Sequence, residues 1–454
     1  MRQPIPEGLI AAAHRTLEVN RLNGLTVPNL TMFRAGYLWD TAVIAKGVAV
    51  HDPERAAGEL IRFLQAQWRS GMLPNEAYFE GQKIRRRLHG RHPDSPHGVT
   101  TSGITQPPMI VRSALEVGRR LPRDRRTAFY GSVVPRLKRL CRWVLEERVG
   151  ANGLAVVIHP YETGMDNRID LAEAMADEWL LGGGLVNGSA HRGTLRALDA
   201  IRRLWGDLRT VPMAHRSSNH DVLRAYLQTR HIRRLGYDLA AIEASGHGLL
   251  VEDVGYNAVL VDAFRCLDEL TDDLPRGAGP ELTLEPEMRT GMGRVAQSLE
   301  TLWCDGTDGR RGGYYSRNYR TGRLSLRPTI AGLYPLLVDG DAERTRIMVQ
   351  TLVDPSTYWT LVAPPSAPID SEGFAPDEYW RGAAWSFPTD IIETGLELRG
   401  EREIAQELRL KYLARPYGIE HAEYENPLTG APLGAKPFSP AAALTIRFAA
   451  LEGL

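Results

Sequence analysis

Residues 52–68 read DPERAAGELIRFLQAQW, and this stretch carries the clearest structural signal in the chain. Asp52 is a residue type that caps helices, and Pro53 is favoured at the first helical position. Apolar residues then recur at intervals of three and four, which places them on one helical face. They are Ala57, Leu60, Ile61, Leu64 and Trp68. The stretch is therefore predicted to be an amphipathic helix that packs against a core.

The same periodicity continues along most of the chain. It recurs between Leu137 and Leu145, and other segments follow it with boundaries uncertain by several residues. Helices are predicted near residues 6–19, 40–50, 107–120, 189–205, 220–244, 253–270, 287–303, 340–353, 388–413 and 439–452. Period-2 alternation is nearly absent, and the best strand candidates, 154–158 and 313–319, lie between helices. The fold class is predicted to be all-α.

Composition limits the domain organisation and the classes of partner. No linker rich in Gly, Ser or Pro divides the 454 residues, and no repeat of 20–50 residues is evident. A single helical domain over residues 1–454 is predicted, with long loops that form a cleft. Lys+Arg and Asp+Glu both number 55, so no net charge favours nucleic acid or an anionic membrane. Any charged partner must therefore be bound at a local site.

Cysteine usage and apolar runs bear on location. Three scattered cysteines, Cys141, Cys266 and Cys304, do not form a disulfide framework or a CxxC metal site. The first 20 residues do not read as a signal peptide, and no later run is long enough to span a bilayer. We expect a cytoplasmic protein.

Two separate loops each offer carboxylates among aromatic residues. HPYETGMDN (159–167) contains Glu162 and Asp166, and EYENPLTG (423–430) contains Glu423 and Glu425. Hydrolysis of a glycosidic bond needs one protonated acid for the leaving oxygen and one carboxylate to activate water or attack carbon. Taken singly, such acids are more often caps, turn residues or members of ion pairs. Because two such loops occur, the sequence favours a glycosidase.

Motifs in order along the chain resemble those of a known family. They are YLWDTA (37–42), QAQWRSGMLPN (65–75), SGITQPP (102–108), ETGMDN (162–167), VEDVGYNAVL (251–260), APDEYWRGAAW (375–385) and EYENPLTGAPLG (423–434). The chain resembles the glucosylglycerate and mannosylglycerate hydrolases, which are relatives of glycoside hydrolase family 63, of processing α-glucosidase I and, more distantly, of trehalase. The resemblance runs from about residue 37 to about residue 444.

The resemblance implies an (α/α)6 barrel, an inverting mechanism and no cofactor or metal. It places the general acid on Asp166 and the general base on Glu423. The expected substrate is a small α-glucoside or α-mannoside, with glucosylglycerate as the first candidate. Residues expected to bind the sugar or line its pocket are Trp39, Asp40, Gln106, Tyr161, Tyr379, Trp380, Arg381, Gly382 and Trp385. Arg216 is a candidate for an aglycone carboxylate, because a guanidinium offers two charge-assisted hydrogen bonds.

The competing acids are ranked on physical grounds. If Glu162 lies close to Asp166, its like charge raises the pKa of Asp166, which suits an acid that works near neutrality. Glu425 is the weaker candidate for the base, because relatives usually carry an aromatic residue there.

The sequence departs from the family pattern where the aglycone is expected. Asn75 stands where relatives usually have His, Ala383 where they have Pro, and Phe33 where glycerate-specific members have Tyr. Phe438 and Pro440 replace Gln and Trp of those members. These changes leave the chemistry intact and put the aglycone in question.

Other functions compete with hydrolysis. A catalytically silent sugar-binding or regulatory protein on the same barrel would have no need of the acid and base pair. An epimerase would rely on histidines, yet His159, His215 and His421 fall in no recognised motif. The basic stretch Arg85–Arg87, with neighbouring histidines, is expected to be a solvated loop. A lid over residues 80–100 ranks next, above a metal site, and Gly182–Gly184 is expected to be a turn.

Overall fold

Helices dominate the structure, a computed structural model that describes residues 4–79, 94–176, 189–275, 279–307 and 309–454. The α-helices in these ranges are α1 (Leu9–Val19), α2 (Leu38–Val48), α3 (Pro53–Leu64), α4 (Ile110–Arg120), α5 (Arg123–Glu147), α6 (Ile169–Ala176), α7 (Ser189–Trp205), α8 (Asn219–Arg234), α9 (Leu239–Ala244), α10 (Val254–Asp272), α11 (Pro286–Leu299), α12 (Ala342–Val353), α13 (Ser386–Arg399), α14 (Arg402–Leu413) and α15 (Ser439–Leu451). The prediction of a predominantly helical chain is confirmed.

Strands are two or three residues long and occur between helices. They are β1 (Arg21–Leu22), β2 (Leu25–Thr26), β3 (Gly36–Tyr37), β4 (Glu76–Tyr78), β5 (Thr100–Thr101), β6 (Val251–Glu252), β7 (Trp303–Asp305), β8 (Gly312–Tyr314), β9 (Arg317–Asn318), β10 (Ala384–Trp385), β11 (Tyr424–Glu425) and β12 (Pro432–Leu433). The sheets β3–β4–β5 and β10–β11–β12 are antiparallel and join loops that are distant in sequence. Of the two predicted strand segments, 154–158 makes isolated bridges, whereas 313–319 overlaps β8 and β9.

Helix α3 forms where the pattern of residues 52–68 predicts it. The Asp52 side chain accepts a hydrogen bond from the Arg55 N–H at 2.9 Å, and Pro53 is the first helical residue. Leu60 and Leu64 of the predicted face are buried, while Ile61 lies at its edge, 36% exposed. Capping and one-sided burial together account for this helix.

Two predicted helices are each divided in the structure. The predicted segment 220–244 is α8 followed by α9, with Gly236 at φ 67° between them. The predicted segment 388–413 is α13 followed by α14, and Gly400 adopts φ 82° at the end of α13. A glycine in the left-handed region ends a helix by satisfying its last carbonyls, and it accounts for both breaks. Periodicity alone did not reveal α6 or the 3-10 helix Ile330–Leu337.

Six elements contact one another in succession around the centre of the molecule. Helix α2 packs against α4, α4 against α10, and α10 against the 3-10 helix Ile330–Leu337, which in turn packs against α13. Helix α15 contacts both α13 and α2, so that the succession returns to its start. Helices α1, α3, α5, α11, α12 and α14 pack on these elements. Buried apolar residues from Ala13 to Ile446 form one continuous cluster.

The contact between α2 and α15 requires glycine. A Cβ atom at Gly47 would lie 2.4 Å from the carbonyl oxygen of Ala443 and 2.6 Å from its Cβ. Both positions lie in helices, so neither backbone can shift without disturbing its own ladder of hydrogen bonds. Small residues at this crossing therefore let the first and last of the six central elements meet.

Charged side chains lie buried between the same helices. The Lys46 ammonium of α2 pairs with Asp390 of α13, and both side chains are almost fully buried. Arg447 of α15 contacts Asp390 at 3.3 Å and Glu393 at 2.6 Å. Arg409 of α14 contacts the other oxygen of Glu393 at 2.7 Å. A buried charge without a partner is strongly destabilising, so these helices are held in one mutual arrangement.

The expectations for residues 80–93 and 182–184 lie outside the described residues. These comprise the basic stretch Arg85–Arg87, most of the expected lid over residues 80–100, and the glycine turn. Where the structure does describe the chain, none of its helices has the length and apolar character needed to cross a membrane.

Candidate active site

The first turn of α2 presents Trp39 and Asp40, both buried. The Leu38 N–H donates to the Asn75 carbonyl oxygen at 3.0 Å, next to the β3–β4 pairing. The Trp39 N–H donates to Gln106 Oε1 at 3.3 Å. Asn75 and Gln106 therefore anchor the start of α2, and Gln106 joins Trp39 and Asp40 as the sequence predicts.

Asp166 lies on a loop that packs directly on Trp39. The loop follows the 3-10 helix Pro160–Thr163, and Gly164 adopts φ 76°. A Cβ atom at Gly164 would lie 2.8 Å from the Trp39 ring, so only glycine allows this approach. After Asp166, the Asn167 side-chain oxygen accepts a hydrogen bond from the Trp380 N–H at 3.0 Å.

Glu423 is held at both carboxylate oxygens. Its Oε2 accepts a hydrogen bond from the Ala435 N–H at 2.8 Å, and its Oε1 accepts one from Arg216 Nη1 at 2.7 Å. Gly434 adopts φ 73°, and a Cβ atom there would lie 2.5 Å from Glu423 Oε2. The turn after β12 therefore requires glycine for its amide to reach the carboxylate.

Aromatic rings from three segments form a wall beside these carboxylates. Trp380 and Trp385 stack with ring centroids 3.9 Å apart, and Trp385 stacks on Tyr424 at 4.5 Å. Tyr379 contacts Trp385 edge-to-face at 5.0 Å. Trp39 meets Trp380 edge-to-face at 6.1 Å. Flat apolar rings beside polar groups suit a sugar, which has apolar faces and a polar edge.

Arg216 brings a positive charge into the site. Its guanidinium lies over the Tyr379 ring at 4.4 Å and over the Phe33 ring at 5.4 Å. Besides Glu423, it contacts Asp207, whose Oδ2 is 3.3 Å from its Nε. The sequence predicts that Arg216 meets a substrate carboxylate, whereas here a carboxylate of the protein already occupies it.

The three carboxylates influence one another electrostatically. Burial raises the pKa of Asp166 to about 7; the Arg216 guanidinium opposes this rise and the Glu423 carboxylate adds to it. Burial also raises the pKa of Asp40 well above its usual range, and Glu423 and Asp166 both add to that rise. Asp166 can therefore hold a proton near neutrality, which a general acid requires.

The two competing acids, Glu162 and Glu425, are each paired with an arginine. Glu162 is not the like charge that raises the pKa of Asp166, because its carboxylate is paired with Arg148 at 2.9 Å and accepts from the Ile158 N–H. Glu423 takes that part instead. Glu425 is buried against Arg415, whose Nε lies 2.9 Å from its Oε1.

The remaining predicted residues are Tyr161, Arg381 and Gly382, and they differ in their position relative to Asp166. Tyr161 is close enough for its pKa, raised chiefly by burial, to be raised further by Asp166. The Arg381 side chain is 30% exposed and lies 3.8 Å from Asp221 and 3.9 Å from Glu378. Gly382 is buried, and a Cβ atom there would lie 2.8 Å from the Ala375 carbonyl oxygen. Gly382 therefore serves the close packing of its loop.

Asp207, Gly434 and Ala435 are site residues that sequence reasoning missed. Asp207 stands in no motif, and its contact with Arg216 becomes visible only in three dimensions. The glycine of GAPLG (430–434), immediately before Ala435, was the one available signal for the turn that holds Glu423. Within the described ranges, no three His, Cys, Asp or Glu side chains lie together as a metal site would require.

The chain is similar to known proteins over most of its length. Residues 35–439 match the family model for the mannosylglycerate hydrolase MGH1-like glycoside hydrolase domain. The mannosylglycerate hydrolase of Thermus thermophilus is 30% identical, with 96% of this chain and 99% of the relative covered. The glucosylglycerate hydrolase of Mycolicibacterium hassiacum is also 30% identical, with 95% of each covered.

A solved structure is also similar over nearly the whole chain. It is a glycoside hydrolase family 63 mannosylglycerate hydrolase, also from Thermus thermophilus, in complex with Tris and D-glycerate. The TM-score is 0.80 at 28% identity, with 97% of this chain and 99% of that chain covered.

The opposed influences on Asp166 predict how its titration responds to substitution. We expect the Asp166 carboxyl to titrate near pH 7, to move to higher pH in Arg216→Gln and to lower pH in Glu423→Gln. Carbon NMR of protein labelled at the aspartate carboxyl, with Asp166→Asn to assign the signal, measures all three. An Asp166 signal that titrates near pH 4 would contradict the effect of burial.

Proposed function

This chain belongs to the mannosylglycerate hydrolase MGH1-like glycoside hydrolases and is a glycosidase, and on that premise we propose its mechanism and substrate class. The substrate is an α-glucoside or α-mannoside of a small aglycone, with glucosylglycerate as the first candidate. The mechanism inverts the anomeric configuration, with Asp166 as general acid and Glu423 as general base. The observation that carries these roles is the group formed by Asp40, Asp166 and Glu423, in which burial gives Asp166 a pKa of about 7.

We propose that the six central elements form the inner ring of an (α/α)6 barrel within a single domain. Support comes from their closed succession, from α2 through α13 and α15 back to α2, and from the six helices packed outside it. The continuous apolar cluster from Ala13 to Ile446 supports one domain. Trp39 and Asp40 start an inner helix, and Trp385 immediately precedes another, so one end of the barrel would carry the site.

The reaction follows from the states of the two acids. Protonated Asp166 donates its proton to the glycosidic oxygen as the bond to the anomeric carbon breaks, and the aglycone leaves as an alcohol. Glu423 takes a proton from water, whose oxygen forms the new bond to the anomeric carbon on the opposite face. Asp166 ends ionised and Glu423 protonated, and exchange with solvent restores both. The Ala435 amide and Arg216 orient Glu423 for this step.

Sugar recognition is assigned to the residues around Trp39. Asp40, Gln106 and Arg381 are proposed to hold glycone hydroxyls, with Trp39, Tyr161, Trp380 and Trp385 as aromatic walls. Tyr379 and Gly382 support that wall. The mutual contacts of the tryptophans and the burial of Asp40 support the assignment.

The aglycone side is more apolar than a glycerate site needs. Phe33 and Phe438 contact each other edge-to-face with ring centroids 6.0 Å apart. Arg216, the candidate for a carboxylate, already contacts Glu423 and Asp207. We therefore propose weakened preference for glycerate over neutral aglycones.

A cytoplasmic location is also proposed, and the three buried, unpaired cysteines support it.

The acid and base roles predict large losses of activity. Asp166→Asn and Glu423→Gln should each lower kcat by about 10²–10⁴-fold, because each removes one proton transfer and changes side-chain volume little. Release of free sugar from glucosylglycerate measures the effect, and circular dichroism checks the fold. Activity close to wild type in either variant would remove that residue from the mechanism. A larger loss in Glu425→Gln than in Glu423→Gln would reassign the base. A wild-type chain that binds the sugar without releasing it would favour the silent binding protein.

Inversion predicts the anomer that appears first. For an α-glycoside, proton NMR recorded before mutarotation should show the β anomer. In a complex structure the carboxyl groups of Asp166 and Glu423 should lie roughly 6.5–9.5 Å apart, which leaves room for a water. The α anomer as first product, with a separation near about 5 Å, would indicate a retaining enzyme.

The apolar contact of Phe33 and Phe438 predicts the outcome of a substrate panel. Loss of one partner of a charged hydrogen bond costs about 1.5–3 kcal/mol, or roughly tenfold to hundredfold in affinity. We expect kcat/KM for glucosylglycerol, kojibiose or trehalose to approach that for glucosylglycerate and mannosylglycerate. A glucosylglycerate value far above that of glucosylglycerol would show that the carboxylate is still recognised. In that case Phe438→Gln should leave the preference for glucosylglycerate over glucosylglycerol unchanged. Under our proposal, Phe438→Gln increases that preference.

A further inference from the structure

We propose that Asp207 is a positioning residue, one that holds the Arg216 guanidinium in the orientation that fixes Glu423. The inference deepens the proposed function and rests on Glu423 acting as the base. Asp207 begins the short 3-10 helix Asp207–Arg209, and Arg216 follows the 3-10 helix Met213–His215. Both therefore come from the segment between α7 and α8, which is distant in sequence from the loop that carries Glu423.

Asp207 is itself fixed by a second arginine. Arg202 of α7, which is buried, approaches it with two nitrogens: Nε donates to Oδ1 at 3.1 Å and Nη2 to Oδ2 at 2.8 Å. Arg202 Nη1 donates to Asn219 Oδ1 at 2.7 Å, at the start of α8. A planar guanidinium that meets both carboxylate oxygens leaves the carboxylate little freedom to turn.

The contacts form a row of alternating charge that ends at the base. Arg202 is followed by Asp207 at 2.8 Å, Asp207 by Arg216 at 3.3 Å, and Arg216 by Glu423 at 2.7 Å. Asp207 receives Nε of Arg216, whereas Glu423 receives Nη1 of the same rigid fork. Fixing Nε therefore fixes the direction in which Nη1 points.

The other groups around Glu423 do not contact Asp207 in the same way. Glu423 is faced by Asp40 from α2, by Asp166 from its loop, and by Tyr379 and Tyr424 from the β10–β11 side. The Ala435 amide holds only Oε2. Loss of Asp207 should therefore reach the base through Arg216, and misplacement of a reacting group by about 1 Å can cost roughly 100-fold in rate.

The aromatic rings around Arg216 strengthen the need for a second anchor. The faces of the guanidinium are covered by Tyr379 and Phe33, which allow it to rotate in its own plane while remaining stacked. Asp207 is the contact at Nε that opposes this rotation. Its pKa is lowered, since the hydrogen bonds from Arg202 and the charge of Arg216 outweigh the effect of its burial, and the residue is ionised at neutral pH.

A double-mutant cycle tests the inference. In the full-length enzyme, Asp207→Asn should lower kcat/KM about tenfold. In the Arg216→Gln background the same substitution should change kcat/KM by less than about twofold, because contacting residues on one path are not additive. Asp207→Glu, which keeps the charge, should retain more activity than Asp207→Asn and is run through the same cycle. The cycle then stands even if Asp207→Asn fails to fold.

Asp199→Asn is the matched control, since Asp199 also pairs with an arginine of α7 and contacts Asn219 but lies away from Arg216. It should leave kcat/KM unchanged. Either of two results would overturn this inference alone. One is an equal loss of kcat/KM from Asp207→Asn with and without Arg216. The other is wild-type activity in Asp207→Asn while Glu423→Gln is inactive. An active Glu423→Gln would instead overturn the proposed base.

Discussion

Helix α2 is buried along its whole length, yet it carries a carboxylate in its first turn and an ammonium in its last. A buried ionisable group must be paired or lose its charge, and the two ends of α2 differ in this respect. Lys46 pairs with Asp390, whereas Asp40 lies beside Asp166 and Glu423, and its pKa is raised well above its usual range chiefly by burial. One helix thus orients the polar cleft and the ionic network that joins the central helices.

Three carboxyl groups lie close together in the cleft. Asp40, Asp166 and Glu423 influence one another, and Arg216 is the cation that contacts Glu423 directly. Asp166 and Glu423 have different surroundings. Burial and a neighbouring carboxylate raise the pKa of Asp166, while Glu423 accepts hydrogen bonds from the Ala435 amide and the Arg216 guanidinium. Such opposed environments are how one site can supply both an acid and a base.

Local patterns in the sequence predict much of the helical framework. The cap and spacing of residues 52–68 predict α3, because both are properties of neighbouring residues. The divisions after α8 and α13 depend on Gly236 and Gly400 adopting positive φ, a choice that helical periodicity does not encode. Similarly, motifs place Asp166 and Glu423 in loops, but the contact of Arg216 with Glu423 joins residues 207 positions apart. Glu162 does not act as the like charge that raises the pKa of Asp166, because its carboxylate is paired with Arg148. The spacing of residues in the sequence does not reveal that ion pair.

The close approach of Gly47 to Ala443 has a consequence for biosynthesis. The face of α2 around Gly47 stays uncovered until α15 has left the ribosome, because Ala443 of α15 packs on it. During translation the face of α2 that packs on α15 lacks its partner until the last of the six central elements has been made, so the closed succession of these elements cannot form earlier.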